Sequence, residues 1–350
     1  MGQRGESTYR EIIDQPESWA EALQVGLSGA AALRSLWGHS GAKQLLFTGC
    51  GSAHCLSLTA AALAREQGLS AKAMPASELW LFPTLAGDLG ETLLVTISRS
   101  GETSETVRAA DMFRQRGGKA VVTVGCYPEA ALTKICDVTL AVPSAQEVSM
   151  VQTRSVTSML IVCCMLVAAL SGEKHGSLHL DILPHLGRRL MHAYGPLAAD
   201  LAADTLIQRF FFVGSGPRYG LAREAMLKMK EMSLSYSEAD HPLELRHGPM
   251  CMVNEQSLAI GLLSDQARAQ EEAVLADMRQ LGARTLAVTE QGSPVGLREA
   301  DSGISLGSGL PMAYRLTLYL PVFQLLAYYR AIVNGQDPDR PRNLTTVVTL

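Results

Sequence analysis

Short apolar runs alternate with longer mixed stretches along most of the chain. Residues 44–48, 93–97, 120–124 and 138–142 read as buried strands, and the stretches that follow the first two, to about 67 and through 116, read as helices. A first helix is predicted over 16–37. The pattern then recurs: 210–213, 258–263, 285–289 and 303–306 read as strands, and a last helix spans roughly 316–333. Strand, Gly-x-Gly turn and helix occur together at Gly49-Cys50-Gly51 and at Gly214-Ser215-Gly216, 165 residues further on (Gly49 to Gly214). Strands alternating with helices of this length indicate parallel sheets with right-handed crossovers. The expected fold class is α/β, built as a duplication. Residues 1–42 are expected to form an N-terminal helical segment, 43–180 and 196–335 the two units, and 336–350 a C-terminal tail. Scattered Gly, Pro and His mark 171–196 as the linker.

The stretch 219–249 carries the most chemistry. Its first half is rich in Ala, Leu, Met, Lys and Glu, with no Gly or Pro after Gly220, and reads as helix. On that helix Glu224, Lys228 and Glu231 fall at i, i+4 and i+7, on one narrow stripe. Such a stripe is either a solvated ladder of ion pairs or a charged lining of a cavity. Leu227 on one side and Leu221 and Met232 on the other favour the cavity, since a solvent face is broad and polar. Carboxylates and an ammonium held in a cavity acquire shifted acidities suited to proton transfer. His247, in the turn Arg246-His247-Gly248-Pro249, is a further acid–base candidate.

A second feature lies at 98–104. Four hydroxyls (Ser98, Ser100, Thr103, Ser104) and Gly101 stand between a buried strand and a helix start. Free amides and the helix dipole favour an anion there, and short hydroxyls donate to phosphate oxygens. One hydroxyl would serve as a helix cap; four point to a phosphomonoester site, with Gly51 and Ser52 facing the same crevice. Both Gly-x-Gly turns break the dinucleotide fingerprint, with His54 and Tyr219 at the third glycine position, and the P-loop pattern is absent.

Composition narrows the classes. The chain has 350 residues, 47% hydrophobic and 18% charged, enough for two domains with sizeable cores. A formal charge of -4 without a basic block argues against nucleic acid. The seven cysteines include no CxxC pair and suit a reducing, cytoplasmic setting. No secretory signal opens the chain, and the apolar run 156–170 is too short for a span and reads as a core helix. His175 and His179 have HxxxH spacing, but Gly176 argues against a helix presenting both, so no metal is assigned.

The segments 98–103, 147–153 and 224–249 together resemble the SIS (sugar isomerase) domain family, and the resemblance covers nearly the whole chain from about Lys43. Two such domains in tandem look like the isomerase half of glutamine-dependent glucosamine-6-phosphate synthases and like stand-alone glucosamine-6-phosphate deaminase-like proteins. The resemblance implies two three-layer α-β-α units of flavodoxin-like or Rossmann-like type. It implies a sugar phosphate held by Ser98, Arg99, Ser100 and Thr103, with Ser52 and Gly51 nearby and Met150 and Gln152 lining the substrate. Glu231 matches the general base, Glu224 and Lys228 its supporting residues, and His247 the ring-opening histidine that reaches the site from the partner subunit of a homodimer. It implies no cofactor, no metal, no nucleic acid and no membrane. Two departures stand out: Ala53 replaces a phosphate-loop serine, and Thr346 replaces the lysine that forms a Schiff base. The second excludes ring opening through a lysine imine at that position. The implied activity is aldose–ketose isomerisation of a hexose or hexosamine 6-phosphate, with loss of ammonia from an amino sugar. Alternatives are a fructosamine-6-phosphate deglycase and a non-catalytic sugar-phosphate sensor.

Overall fold

Each half of the molecule is organised on a five-stranded parallel sheet. The computed structural model describes residues 4–172, 179–291, 302–345 and 347–348. The first sheet contains β1 (Gln44–Gly49), β2 (Ala71–Pro75), β3 (Thr92–Ser98), β4 (Ala120–Gly125) and β5 (Val138–Ala141), in the order β2-β1-β3-β4-β5. The second contains β6 (Arg209–Gly214), β7 (Tyr236–Asp240), β8 (Ser257–Leu262), β9 (Arg284–Thr289) and β10 (Ser302–Ser305), in the order β10-β9-β8-β6-β7. Taken from the other edge, the second order is the first repeated. β3, β4 and β8 are buried along their whole length, as strands covered on both faces must be, which is why they appear as unbroken apolar runs.

The helices are α1 (Glu6–Ser40), α2 (Ser52–Glu66), α3 (Ala76–Leu81), α4 (Ser104–Gln115), α5 (Arg154–Ser171), α6 (Leu183–Ala203), α7 (Pro217–Ser233), α8 (Pro242–Leu245), α9 (Arg268–Gln280), α10 (Met312–Arg315) and α11 (Leu320–Val333). One continuous core runs between the sheets, where α1 packs on α5, α6 on α11 and α2 on α7. Trp19 sits in it fully buried, its indole N–H donating to Thr157 Oγ1 at 2.9 Å. α5 is apolar on every side and buried on nearly every side, which makes it a core helix. The segments Arg154–Ser171 and Met312–Val333 are long and apolar enough to cross a membrane, and both are 83% buried inside the protein.

Several elements differ from the sequence reading. α1 extends over 35 residues and carries Pro16 inside it. Proline cannot donate to the carbonyl four residues back, and here the Gln15 side-chain amide donates to Ile12 O in its place, at 2.7 Å. The expected linker 171–196 is a correction: α6 occupies its second part, runs through Pro196 and buries Leu183, Leu186, Leu190 and Leu201. Apolar periodicity outweighed the scattered breakers. The polar loop after α7 contains the edge strand β7, and the helix predicted over 316–333 opens with a 3-10 turn, Leu316–Tyr319, ahead of α11. β2 and α9 had no counterpart among the predicted elements. His175 and Thr346 lie outside the described residues.

The segment after α11 returns to the start of α1. Asp339 accepts the amides of Ser7 (3.2 Å) and Thr8 (2.7 Å) at the start of α1, a cap supplied from far along the sequence. Asp339 O also accepts the Met150 amide at 3.1 Å, and buried Glu11 accepts the Val148 amide at 2.5 Å. α1 and the tail together fix the segment that leads to Gln152.

Candidate active site

In a sheet of this order the loops from β1 and β3 diverge and leave a crevice at the carboxyl ends of the strands. The turn 98–103 forms one wall. Gly101 has φ 67°, in the left-handed region, and a Cβ on it would lie 2.4 Å from Ala130 Cβ, so the position requires glycine. Ser98 Oγ accepts the Gly101 amide at 3.1 Å and Ser100 Oγ the Glu102 amide at 3.2 Å. These hydroxyls shape the turn and each keeps a proton to donate. Thr103 is the N-cap of α4, yet its side chain makes no capping bond. Ser98, Ser100, Thr103, Arg99, Ala53 and Gln152 share a cavity of about 20 Å³ with Cys50, Ile97 and Thr106.

Arg99 is placed differently from its neighbours. Its Nη1 donates to the Glu147 carboxylate at 3.2 Å and to the carbonyls of Ser149 (3.4 Å) and Met150 (3.2 Å). Glu147 in turn accepts the Thr153 amide at 2.6 Å and its hydroxyl at 2.9 Å. This buried pair pins the 147–153 segment, and with it Gln152, against the turn.

The stripe is brought to the crevice by the crossing of α2 and α7. At Gly220 a Cβ would lie 2.3 Å from Thr59 Oγ1 and 2.5 Å from Cys55 O, so the two backbones touch there. Further along α7, Lys228 Nζ donates to Ser52 Oγ at 3.1 Å and pairs with Glu224 at 3.3 Å and Glu231 at 2.5 Å. Ser52 Oγ donates to Glu224 Oε1 at 3.1 Å. Ser52 thus belongs to the charged stripe, while its neighbour Ala53 lines the cavity of the 98–103 turn. Lys228 and Glu224 are fully buried, whereas the Glu231 side chain is 18% exposed and is the member of the trio that reaches solvent. Burial pushes the Glu224 carboxyl up to about 7 against the opposing pull of Lys228, and Glu231 pushes the same way as burial. Lys228 is held protonated well above its ordinary range by the two carboxylates, which outweigh its burial.

Gly51 opens onto an adjoining cleft of about 280 Å³ that also exposes Cys50, His54, Glu105, Arg223 and Leu227. His54 and Arg223 escaped the sequence reading. Burial lowers the His54 imidazolium to about 4, and Arg223 adds to the effect, so the ring is neutral at pH 7. The available signal was weak: His54 follows the Gly-x-Gly turn by three positions, and Arg223 precedes Glu224. Ten buried side-chain atoms among the described residues lack a hydrogen-bond partner, and five of them ring this crevice: His54 Nδ1, Glu105 Oε2, Gln152 Oε1, Arg223 Nε and Glu224 Oε2. Orphaned buried polar atoms are costly and concentrate where a ligand is bound.

His247 is not brought to the stripe within one chain. It is exposed in the loop after α8, its amide donates to Glu244 O at 2.9 Å, and its ring makes no hydrogen bond among the described residues.

Residues 40–169 and 207–327 each match the model of the SIS domain. The chain belongs to the SIS-domain family. The glutamine–fructose-6-phosphate aminotransferase (isomerizing) of Aeropyrum pernix is 31% identical over 97% of this chain, which spans 57% of that relative's length. Tagatose-6-phosphate ketose/aldose isomerase from Escherichia coli shares the fold, with a TM-score of 0.85, 22% identity and 97% of each chain covered. Glucosamine-6-phosphate deaminase from Thermotoga maritima aligns with a TM-score of 0.75 and 26% identity over 99% of this chain and all of that one (100%). The sugar isomerase domain therefore occurs twice, once on each sheet.

Proposed function

We propose that the chain is an aldose–ketose isomerase of a hexose or hexosamine 6-phosphate, of the glucosamine-6-phosphate deaminase type. The observation that carries this reading is the buried Lys228 that pairs directly with Glu224 and Glu231 and donates to Ser52 in the first turn of α2, next to the hydroxyl-lined turn 98–103. The phosphate is held by Ser98, Ser100 and Thr103 and fixes the sugar along α7. Glu231 takes the proton from C2 of the open aldose and returns it to C1, by way of an enediol. Lys228 stabilises the negative charge that develops on the intermediate, in a site shielded from water. With an amino sugar, addition of water to the resulting C2 imine releases ammonia and leaves the ketose. Arg99 acts by placing Gln152 and Met150, and His247 reaches the crevice from a second copy of the chain in a dimer.

Glu231→Gln is expected to bind glucosamine 6-phosphate or fructose 6-phosphate within about threefold of wild type, while exchange of the substrate C–H with deuterated water falls by at least about a hundredfold. NMR in deuterated buffer measures both. Undiminished exchange removes Glu231 from the role of base. One sequence observation favours a second reading: Thr346, where the resembled synthases carry a lysine, suits a substrate that is already an amine adduct, such as a fructosamine 6-phosphate. Release of an amino acid from that substrate, faster than ammonia from glucosamine 6-phosphate, selects the deglycase.

A further inference from the structure

The repeat carries the first crevice onto a second one. Gln44 pairs with Thr92 and Arg209 with Ser257, the same register one repeat later. Gly51 and Gly216, the residues before α2 and α7, share one backbone conformation, φ 56° and ψ −123° against φ 55° and ψ −132°. Between β6 and β8 the loops 214–216 and 263–267 enclose a cleft of about 450 Å³, lined by Glu66, Ser215, Arg218, Ser264, Asp265 and Gln266 among others. In a sheet of this order that is where ligands bind.

Arg218 indicates what the cleft suits. It stands one repeat after Ala53 and is 4% exposed. Its Nε donates to Tyr319 Oη at 3.0 Å, and its guanidinium lies over the same ring, 5.6 Å from the centroid. Among the described residues its two terminal nitrogens have no hydrogen-bond acceptor and no carboxylate within ion-pair distance. These nitrogens open onto the cleft, where the Glu66 carboxylate attracts them without reaching ion-pair distance and where an anion can complete them. The starts of α7 and α9 at the cleft wall favour the same sign of charge. Ser264 Oγ accepts the Ala267 amide at 2.9 Å and retains its own proton to donate. Across the cleft, Glu66 and Gln266 offer acceptors that a phosphate does not need and sugar hydroxyls do.

We infer that this cleft is a second ligand site, which takes a phosphorylated polyol with its phosphate on Arg218 and its hydroxyls on Glu66 and Gln266. The inference goes beyond the reading of Glu231 and does not depend on it. Its position is informative. α2 begins at the first crevice and ends at Glu66, while α7 begins at the second cleft and carries the charged stripe toward the first. The two sites stand at opposite ends of one antiparallel helix pair.

Met312 lines the cleft and supplies a local reporter. Protein labelled with methyl-13C methionine, with the Met312 resonance assigned through M312L, is titrated with glucosamine 6-phosphate, inorganic phosphate and glucosamine. A saturable Met312 shift is expected with the ester, at least about tenfold weaker with either fragment and lost in R218Q. Gln266 is exposed, so Q266E leaves the core intact and is expected to weaken the ester by about threefold to tenfold; it decides the matter if R218Q fails to fold. An unmoved Met312 resonance at millimolar ester, or wild-type affinity in R218Q or Q266E, overturns the site. Equal affinity for inorganic phosphate overturns the polyol contacts. Neither outcome bears on the exchange chemistry of E231Q.

Discussion

A single ammonium, Lys228, holds two carboxylates, and the cost of that arrangement falls on Glu224. Its folded-state value, pushed up to about 7 from 4.5, means that the carboxyl favours the folded state when protonated. The contribution is fully present below the unfolded value and is lost as pH rises from about 4.5 through about 7. His54 works with the opposite sign, since its depressed value makes stability fall as pH drops from 6.5 toward about 4. Comparing wild type with Glu224→Gln at each pH cancels the histidine. The variant is expected to gain on wild type by more than about 1 kcal/mol between pH 5 and pH 8 in urea unfolding; parallel profiles would refute the assignment. The stripe itself was legible in the sequence because helix geometry alone aligns positions 224, 228 and 231. His54 and Arg223 were not, because their cleft exists only once α2 and α7 lie side by side. Nor was the partner of Arg99, a carboxylate 48 residues away.

The turn 98–103 depends on one backbone conformation that a side chain resists. Gly101→Ala would force a left-handed residue against Ala130 Cβ. The expected outcome is a loss of about 1–3 kcal/mol of stability and sugar-phosphate binding weakened by about tenfold or more. Calorimetry and thermal unfolding measure the two separately, and unchanged binding would show that the turn does not hold the phosphate. The buried strands were readable because a strand covered on both faces is apolar throughout. β7 was not, because an edge strand has one neighbour and tolerates the polar run Tyr236–Asp240. Proline misled twice, at Pro16 and Pro196, where burial of a long apolar face held the helix together. At Pro16 the amide of Gln15 makes good the missing bond, a repair that is visible only in three dimensions.

At the scale of the whole molecule, the exposed His247 and the buried stripe raise the question of a shared site. If each crevice uses His247 from the other copy, Glu231→Gln and His247→Ala are each inactive alone and recover roughly a quarter of wild-type activity when mixed and allowed to exchange subunits, because half of a random dimer population is mixed and each mixed dimer holds one intact site. No recovery, with subunit exchange verified by mass spectrometry, would place His247 in the crevice of its own chain, and an active His247→Ala would place it outside the reaction. Within one chain the halves have little freedom to move apart. α2 and α7 touch backbone to backbone at Gly220, and one core runs from α1 and α5 to α6 and α11. A clamshell motion would have to tear that seam, so access to the 98–103 turn depends on what lies over it, and there the Val348 carbonyl accepts the Ser104 amide at 3.2 Å.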